Sequence, residues 1–136
     1  MALLILTGNN KPTDSVFSLD LDTGEITWNV TRLIRAAEQG RFGLPVEFDT
    51  DALPPPDYST GYLERAKIDA MKRLPAVLDM PAIAIGMPAG NPRPMLCICD
   101  GQHRITARYE LKLPKWRTFI VPYTMEKDYR IEFVGY

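Results

Sequence analysis

One short stretch of the chain combines side chains that can bind and react with an anion. Residues 99–104 read Cys-Asp-Gly-Gln-His-Arg and include the only histidine among the 136 residues. The stretch follows the apolar run 95–98 and precedes residues that can form a helix. A helix that starts directly after a strand leaves unpaired backbone N–H groups in its first turn, and these groups attract anions. We therefore predict a phosphate or other oxyanion site at four residues, Gly101, Gln102, His103 and Arg104.

Arg104 is the strongest candidate for a direct phosphate contact, because the planar guanidinium donates two parallel hydrogen bonds to an oxyanion. Arg108 lies four residues further on and so shares the same helical face, where it can extend the clamp. The alternative for Arg104 is an ion pair with Asp100 or Glu110. If the phosphate role is correct, we expect Arg104→Ala to remove nucleotide-dependent thermal stabilisation while the fold stays intact.

Asp100 and His103 are the candidate catalytic residues. A histidine in this position can transfer a proton or, when protonated, donate to phosphate, and its alternative is a structural hydrogen bond. Asp100 can cap the helix, in which case it repels an anion, or it can bind Mg²⁺ and favour a metal-bridged phosphate. A two-metal nuclease needs further carboxylates, and Glu64 or Asp69 on a preceding helix are the candidates left by elimination.

Charge is distributed unevenly along the chain although the formal net charge is −1. Residues 1–57 carry four basic and nine acidic side chains, whereas residues 93–117 carry six basic and two acidic side chains. A basic segment around the proposed anion site fits a nucleotide or nucleic-acid partner, and ordinary solvated surface charge is the alternative. The cations that can form a positive rim are Arg93, Lys112, Lys115 and Arg117, and the aromatic residues that can stack a base or pack in the core are Trp28, Tyr58, Tyr62 and Trp116.

The two cysteines indicate a reducing compartment. Cys97 and Cys99 are two residues apart, so on a strand they point to one face, where they rarely form a disulfide. We interpret them as reduced thiols of a cytoplasmic protein, with thiol redox chemistry as a remote alternative. Residues 1–6 are apolar but lack a preceding basic region and are too short to cross a membrane, so we predict a first strand there.

The order of predicted elements indicates an α+β fold. In the first half we expect a hairpin over 15–30, a helix capped by Asn29 or Thr31 that ends near Gly40, a short strand over 46–48 and a rigid extended connector over 50–57. In the second half we expect a helix that begins at Ser59 or Thr60, runs to Leu74 and is ended by Pro75. Two strands over 82–87 and 95–99, joined by the loop 88–94, should follow it. A helix over 101–112 and a strand over 116–121 complete the predicted set. Because hairpins and helices are interspersed, we predict a mixed sheet with packed helices in one domain, residues 1–136.

This order, carried by residues 60–121, resembles the ParB/sulfiredoxin superfamily. The specific motif is Asp100-Gly101-Gln102-His103-Arg104, supported by Ala107 and by the strand patterns at 83–85, 96–99 and 117–121. The resemblance implies a ParB/sulfiredoxin-like core over 58–136, whereas residues 1–57 match nothing in that pattern. It also implies that the glycine, histidine and arginine of this turn contact nucleotide or DNA phosphates.

Members of the superfamily include partition proteins that bind and hydrolyse a nucleotide, sulfiredoxins that repair over-oxidised cysteine with ATP, and plasmid-borne nucleases. Sulfiredoxins carry their catalytic cysteine immediately before the His-Arg pair, and here Gln102 stands in that place. An amide cannot act as the sulfur nucleophile, which argues against sulfiredoxin chemistry. About fifteen residues follow the last predicted strand, too few for the helix-turn-helix domain of partition proteins.

Two function hypotheses follow. The first is a ParB-like protein that binds a nucleotide or nucleic-acid phosphate, with Mg²⁺-dependent phosphoester hydrolysis, as a nuclease or NTPase, as the reaction if the protein is an enzyme. The second is a non-enzymatic plasmid- or phage-encoded accessory protein that acts through a protein partner, motivated by the acidic N-terminal part. Neither hypothesis involves a membrane.

Overall fold

A computed structural model describes residues 4–6, 10–11, 13–21, 24–53, 55–87, 95–131 and 133–135. Its strands are β1 (Leu4–Leu6), β2 (Val16–Leu21), β3 (Gly24–Asn29), β4 (Val46–Asp49), β5 (Ala82–Met87), β6 (Met95–Asp100), β7 (Lys115–Val121) and β8 (Phe133–Gly135). Its helices are α1 (Val30–Glu38), α2 (Arg65–Lys72), the short α3 (Pro75–Leu78) and α4 (Gln102–Glu110). The predicted α+β class is therefore confirmed: helices pack on a mixed sheet.

The main sheet has four strands in the order β4-β7-β5-β6. The inner strands β5 and β7 are parallel, with Ala82 opposite Thr118. Both outer pairs are antiparallel, and β5 with β6 forms a hairpin whose register shifts between Ile83 and Ala84. The loop predicted over 88–94 lies outside the described residues, and so does Arg93. Residues 82–85 of β5 are apolar and buried because both faces of this strand are covered.

One face of this sheet packs against the N-terminal part of the chain. The β2–β3 hairpin and α1 bury Trp28 and Leu33 against Ile83, Ile85 and Val121 of the sheet. Alternate residues of β7 and β6 point to the other face, where Trp116 and Ile98 meet Ile105 of α4. Helices α2 and α3 pack on α4 through Ile68, Leu78 and Ala107. Helix α4 therefore lies between the sheet and the outer helices.

The hairpin and α1 agree with the sequence prediction. Asn29 is the N-cap of α1, and its side-chain oxygen accepts the Arg32 amide at 3.0 Å. Gly40 follows the helix end with a positive φ of 79°, the conformation that favours glycine after a helix. The predicted turn at residues 22–23 lies outside the described residues.

Two predicted elements differ from the structure. Helix α2 begins at Arg65 rather than at Ser59 or Thr60, because Gly61 has a left-handed φ of 73° and the Tyr62 amide bonds to the Thr60 hydroxyl, which holds the chain in a turn. Pro75 does not simply end that helix: it occupies the first turn of α3, where a missing N–H costs nothing. The connector predicted over 50–57 begins with a 3-10 turn, Thr50–Ala52.

The C-terminal part holds structure that the sequence pattern did not predict. Strand β8 pairs with β1 in an antiparallel two-stranded sheet, and a 3-10 turn, Glu126–Tyr129, precedes it. In the described part of the chain, no helix combines the length and the apolar character needed to span a bilayer.

Candidate functional site

A sharp left-handed turn joins β6 to α4. Strand β6 ends at Asp100, α4 begins at Gln102, and Gly101 between them has a φ of 96°. A Cβ on Gly101 would lie 3.0 Å from the Ala82 Cβ and 3.0 Å from the Arg104 Nη2. Both the backbone conformation and the space around it therefore require glycine. The strand-to-helix turn predicted from the sequence is present.

Arg104 forms the internal ion pair that stood as the alternative to a phosphate contact. Its Nη2 donates to Asp100 Oδ2 at 3.2 Å and to the Pro81 carbonyl at 3.1 Å. The Arg104 side chain is 13% exposed and that of Asp100 is 28% exposed, so the pair is half-buried. The guanidinium therefore supports the turn from inside, and direct phosphate binding requires it to change partner.

Asp100 is not the helix cap. Gly101, which has no side chain, occupies the N-cap position of α4, and within the described residues no side chain accepts a hydrogen bond from the first-turn amides. Asp100 does not cap the helix because its carboxylate forms an ion pair with the Arg104 guanidinium. The amides of Gln102, His103 and Arg104 precede the first intrahelical bond, which joins the Ile105 amide to the Gly101 carbonyl at 2.9 Å. The first turn of α4 thus has backbone N–H groups that can donate hydrogen bonds to an anion.

Gln102 closes the first turn on its sheet side. Its Nε2 donates to the Ile98 carbonyl at 2.6 Å, and its own carbonyl accepts the Thr106 hydroxyl at 2.8 Å. The amide nitrogen is therefore engaged with β6, which places the side chain between the strand and the helix. This contact fixes the Gln102 side chain against β6.

His103 joins the starts of two helices. Its Nε2 accepts the backbone N–H of Glu64, the residue before α2, at 3.1 Å. Its ring stacks on Tyr62, with centroids 5.8 Å apart and planes 27° apart. Because Nε2 accepts this bond, the proton of the neutral imidazole is on Nδ1, which is left as a donor. The structural hydrogen bond expected as the alternative role is present, and it occupies the lone pair that a general base would use.

Arg108 does not extend a clamp at the turn. Its Nε donates to the Lys115 carbonyl at 2.8 Å and its Nη1 to the Leu78 carbonyl at 3.1 Å. These bonds tie α4 to β7 and to the end of α3. Spacing correctly placed Arg108 on the Arg104 side of the helix, but packing directs its guanidinium to backbone acceptors.

A cavity of about 350 Å³ lies beside the first turn of α4. Its lining is mainly apolar and includes Leu53, Ile98 and Ile105, with Gln102 and Thr106 as polar members. The volume falls within the range of about 300–1,000 Å³ that is usual for small-molecule sites. Gln102 belongs both to this lining and to the first turn, so the cavity and the uncapped helix end are adjacent.

A charged network lies next to this cavity. The cavity lining also includes Asp57, Thr60 and Tyr109. The Glu110 carboxylate at the end of α4 accepts the Tyr58 hydroxyl, the Arg65 guanidinium and the Lys72 ammonium, each at 2.6 Å. These contacts lower the pKa of Glu110 to about 2, with the Arg65 hydrogen bond as the largest cause. The loop that carries Asp57 and Tyr58 is thus held to Glu110 of α4, which also binds Arg65 and Lys72 of α2.

We expect Glu110→Gln to remove an acid-sensitive part of the stability. The folded-state pKa lies below the ordinary value of 4.5, so the ionised carboxylate stabilises the fold fully above about pH 4.5 and loses that effect as the pH falls toward 2. At pH 7 the variant should be less stable by about 1–2 kcal/mol. Urea unfolding of both proteins between pH 2 and 7 measures this, and a difference that stays constant over that range would contradict the assignment.

The proposed magnesium ligands do not form a fitting site. Asp100 is paired with Arg104, Glu64 with Lys67 at 2.8 Å, and Asp69 with Arg65 at 3.4 Å. Within the described ranges, no three His, Cys, Asp or Glu side chains are grouped so that they could hold a metal ion. A guanidinium next to Asp100 competes with a divalent cation for the same oxygens. These residues therefore support no metal-dependent step.

Neither cysteine has the surroundings of a reactive thiol. Cys99 is buried and its Sγ donates to the Ile83 carbonyl at 3.4 Å. Burial raises the pKa of both Cys97 and Cys99 above the ordinary value, which disfavours the thiolate. The redox alternative therefore gains no support.

The aromatic candidates divide into two groups. Trp28 and Trp116 are buried, and Trp116 stacks on Phe48 with centroids 5.2 Å apart, so both serve packing. Tyr62 is 54% exposed and borders the cavity of about 350 Å³ beside the first turn of α4, so it is placed to contact a ligand there. The Tyr58 hydroxyl is hydrogen-bonded to the Glu110 carboxylate.

Sequence reasoning missed an arginine pocket of about 260 Å³ on α1. Its lining includes Arg32, Arg35 and Arg41 together with Tyr129, and among the residues that the structure describes it contains no carboxylate. Arg32 donates to the Asp128 carbonyl at 3.0 Å and lies over the Tyr129 ring. The three-residue spacing of Arg32 and Arg35 on a helix was the available signal, but the acidic balance of residues 1–57 concealed it.

No protein-family model, curated protein sequence or solved structure matches this chain.

Proposed function

We propose that this protein binds a nucleotide or a nucleic-acid strand, with a phosphate at the first turn of α4 and the attached base in the adjacent cavity. The observation that carries the proposal is the junction at Gln102, which joins a helix start without a side-chain cap to a cavity of about 350 Å³. A nucleotide matches these two features because its phosphate can bind at the helix start while its flat base, joined to it by a short linkage, lies in the cavity. Two reduced cysteines are consistent with the cytoplasmic location that we propose with it.

The phosphate is bound mainly by backbone groups. The amides of Gln102, His103 and Arg104 lie at the positive end of the α4 dipole, where an anion is stabilised. The His103 Nδ1–H adds a side-chain donor. Arg104 acts by engaging the Asp100 carboxylate, which would otherwise accept from the same amides and repel the ligand.

The base is held by shape and apolar contact. Ile98, Ile105 and Leu53 supply apolar surface, while Tyr62 at the border offers an aromatic face. Stacking on an aromatic side chain stabilises a base by about 1–3 kcal/mol and tolerates any base. We therefore expect nucleotides to bind more tightly than inorganic triphosphate, with modest preference among bases.

The proposal is a ParB/sulfiredoxin-like fold used for binding. A strand that leads through a glycine turn into an anion-binding helix is consistent with that superfamily, and Gly101 and His103 keep the places that the resemblance gives them. Arg104 departs from the pattern because it acts through Asp100. The carboxylates around the turn are paired with cations, so we propose no hydrolytic step.

A matched pair of variants at one position tests the phosphate site. Glutamate and glutamine at position 103 can both accept the Glu64 N–H, and they differ by one charge. We expect His103→Gln to keep nucleotide binding and His103→Glu to weaken it about tenfold, because a carboxylate within about 5 Å repels a phosphate. An acidic residue in a first helical turn is itself stabilising, so the fold of His103→Glu should be retained.

Calorimetric titration with ATP, CTP, GTP and short oligonucleotides, with and without Mg²⁺, measures these affinities. Equal affinities of His103→Glu and His103→Gln would place the phosphate elsewhere. Binding that requires Mg²⁺ would contradict the metal-independent site.

A second candidate function is supported by a neighbouring cavity. It measures about 380 Å³, shares Leu53 and Ile98 with the first cavity, and is bordered by the partly exposed Leu96. Two adjoining apolar cavities fit the side chains of a protein partner, as the accessory-protein hypothesis requires. If no nucleotide or oligonucleotide binds to the wild-type protein, this second function is favoured.

A further inference from the structure

The arginine pocket on α1 lies apart from the proposed nucleotide site, because α1 and α4 pack on opposite faces of the main sheet. The pocket of about 260 Å³ follows one stripe of α1, on which Arg32, Arg35 and Gln39 recur at intervals of three and four residues. Arg41 and the buried Tyr129 also line it. Its lining surface is mainly polar, so guanidinium and amide groups form most of the surface that a ligand would meet.

Neutral groups hold two of these guanidinium groups in place. Arg32 Nη1 donates to the Asp128 carbonyl at 3.0 Å, and the guanidinium lies over the Tyr129 ring, 5.2 Å from its centroid. Arg41 Nε donates to Gln39 Oε1 at 3.2 Å. A carbonyl or amide oxygen satisfies a hydrogen bond but does not neutralise a charge, and a guanidinium has several further N–H donors. Both arginines therefore keep their charge and donors for a ligand.

Within the described part of the chain, no carboxylate forms an ion pair with any of the three arginines. The ion pairs there involve other cations. The pKa of Asp14 is lowered mainly by its hydrogen bond from Asn29 and least by the charge of Arg35, so this carboxylate opposes the pocket only weakly. Glu38 is exposed and lies about 100° around α1 from the stripe. The end of α1 adds about half a negative charge, less than a single guanidinium supplies.

We propose that the arginine pocket binds a phosphate group, either as inorganic phosphate or as a phosphate ester. Guanidinium groups bind phosphate oxygens through paired hydrogen bonds, and clusters of arginines recognise phosphorylated side chains in this way. A phosphate ester carries about two negative charges and three acceptor oxygens, which suits several guanidinium groups around one pocket. A carboxylate has a single charge and would engage fewer of them. This function goes beyond nucleotide binding and uses a different part of the chain.

The arginine side-chain N–H resonances report on this site directly. During titration with inorganic phosphate, and separately with a short phosphoserine peptide, we expect the Nε–H signals of Arg32, Arg35 and Arg41 to shift saturably. The signal of Arg73, an exposed arginine at the end of α2, should stay in place. Sodium chloride at matched ionic strength and the unphosphorylated peptide should shift none of them. Tighter binding of the phosphopeptide would identify a phosphorylated protein as the source of the group, and equal affinities would identify the free anion.

Variants with matched charge separate specific binding from general attraction. Arg35→Gln and Arg41→Gln should each weaken phosphate binding about threefold, measured on the Arg32 signal, and the double variant at least about tenfold. Both side chains are exposed, so the fold should be retained. Arg73→Gln changes the net charge equally and should bind phosphate as the wild-type protein does.

The phosphate pocket and the nucleotide site can be tested independently. The double variant should keep the nucleotide-induced shifts at the first turn of α4, and His103→Glu should keep the phosphate-induced shift of Arg32. The assignment is overturned if phosphate and phosphopeptide leave the three arginine signals in place, if chloride shifts them equally, or if Arg73→Gln weakens binding as much as the pocket variants do.

Discussion

Arg104→Ala is expected to lower the free energy of unfolding by about 2–4 kcal/mol and to weaken nucleotide binding at least about tenfold. The stability falls because the substitution removes the bonds from Nη2 to Asp100 and to the Pro81 carbonyl and leaves a half-buried carboxylate unpaired. Binding falls because the freed carboxylate can approach the first-turn amides and repel a phosphate. Urea unfolding and calorimetric titration measure the two effects.

A second substitution distinguishes this positioning role from a direct phosphate contact. If Arg104 acts by engaging Asp100, then Asp100→Asn in the Arg104→Ala background should restore much of the affinity, because the repelling charge is gone. If the guanidinium itself binds the phosphate, the double variant should stay as weak as Arg104→Ala. That second result would return Arg104 to the role that the family resemblance implies and would refute the positioning role.

Glu126→Ala is expected to lower the free energy of unfolding by about 3–5 kcal/mol, the largest effect that we predict. Glu126 is 1% exposed, and its carboxylate accepts the Trp28 indole N–H and the Arg130 guanidinium. These contacts hold the pKa of Glu126 below its ordinary value, although burial acts in the opposite direction. Truncation would leave a buried indole N–H and a partly buried cation without partners. Urea unfolding at pH 7 measures the loss.

Two controls define that prediction. Glu126→Gln can still accept from Trp28 but loses the ion pair, so its effect should be intermediate. Glu25→Ala removes an exposed carboxylate on β3 and should change stability by no more than about 0.5 kcal/mol. If Glu126→Ala and Glu25→Ala had similar effects, the Trp28–Glu126–Arg130 contact would not be an anchor of the fold.

The sequence predicted the elements whose patterns are local. The β2–β3 hairpin follows from its alternation, α1 from a cap at Asn29 or Thr31 and an apolar stripe, and the turn at Gly101 from an apolar run that stops at Asp-Gly. Helix α2 was placed too early because its apolar spacing continues back to Leu63, whereas the left-handed Gly61 prevents a helix from forming across it. Local periodicity therefore located the helix but not its first residue.

Local sequence patterns could not predict the long-range contacts. The pairing of β1 with β8 joins the two ends of the chain, and Trp28 and Glu126 are 98 residues apart. At the site, residue types correctly marked Arg104, Asp100 and Gln102 as neighbours. They did not reveal that the carboxylate binds the arginine rather than the helix end, because that choice depends on the position of Pro81, from a different part of the chain.

The most direct test of the phosphate site is a ¹⁵N–¹H spectrum of the uniformly labelled protein during titration with ATP and CTP. The account predicts that the backbone amides of Gln102, His103 and Arg104 shift first and saturably, together with signals from residues that line the adjacent cavity, such as Tyr62 and Ile105. Shifts confined to the arginine pocket on α1, or amides at 102–104 that do not move while nucleotide binds, would contradict it.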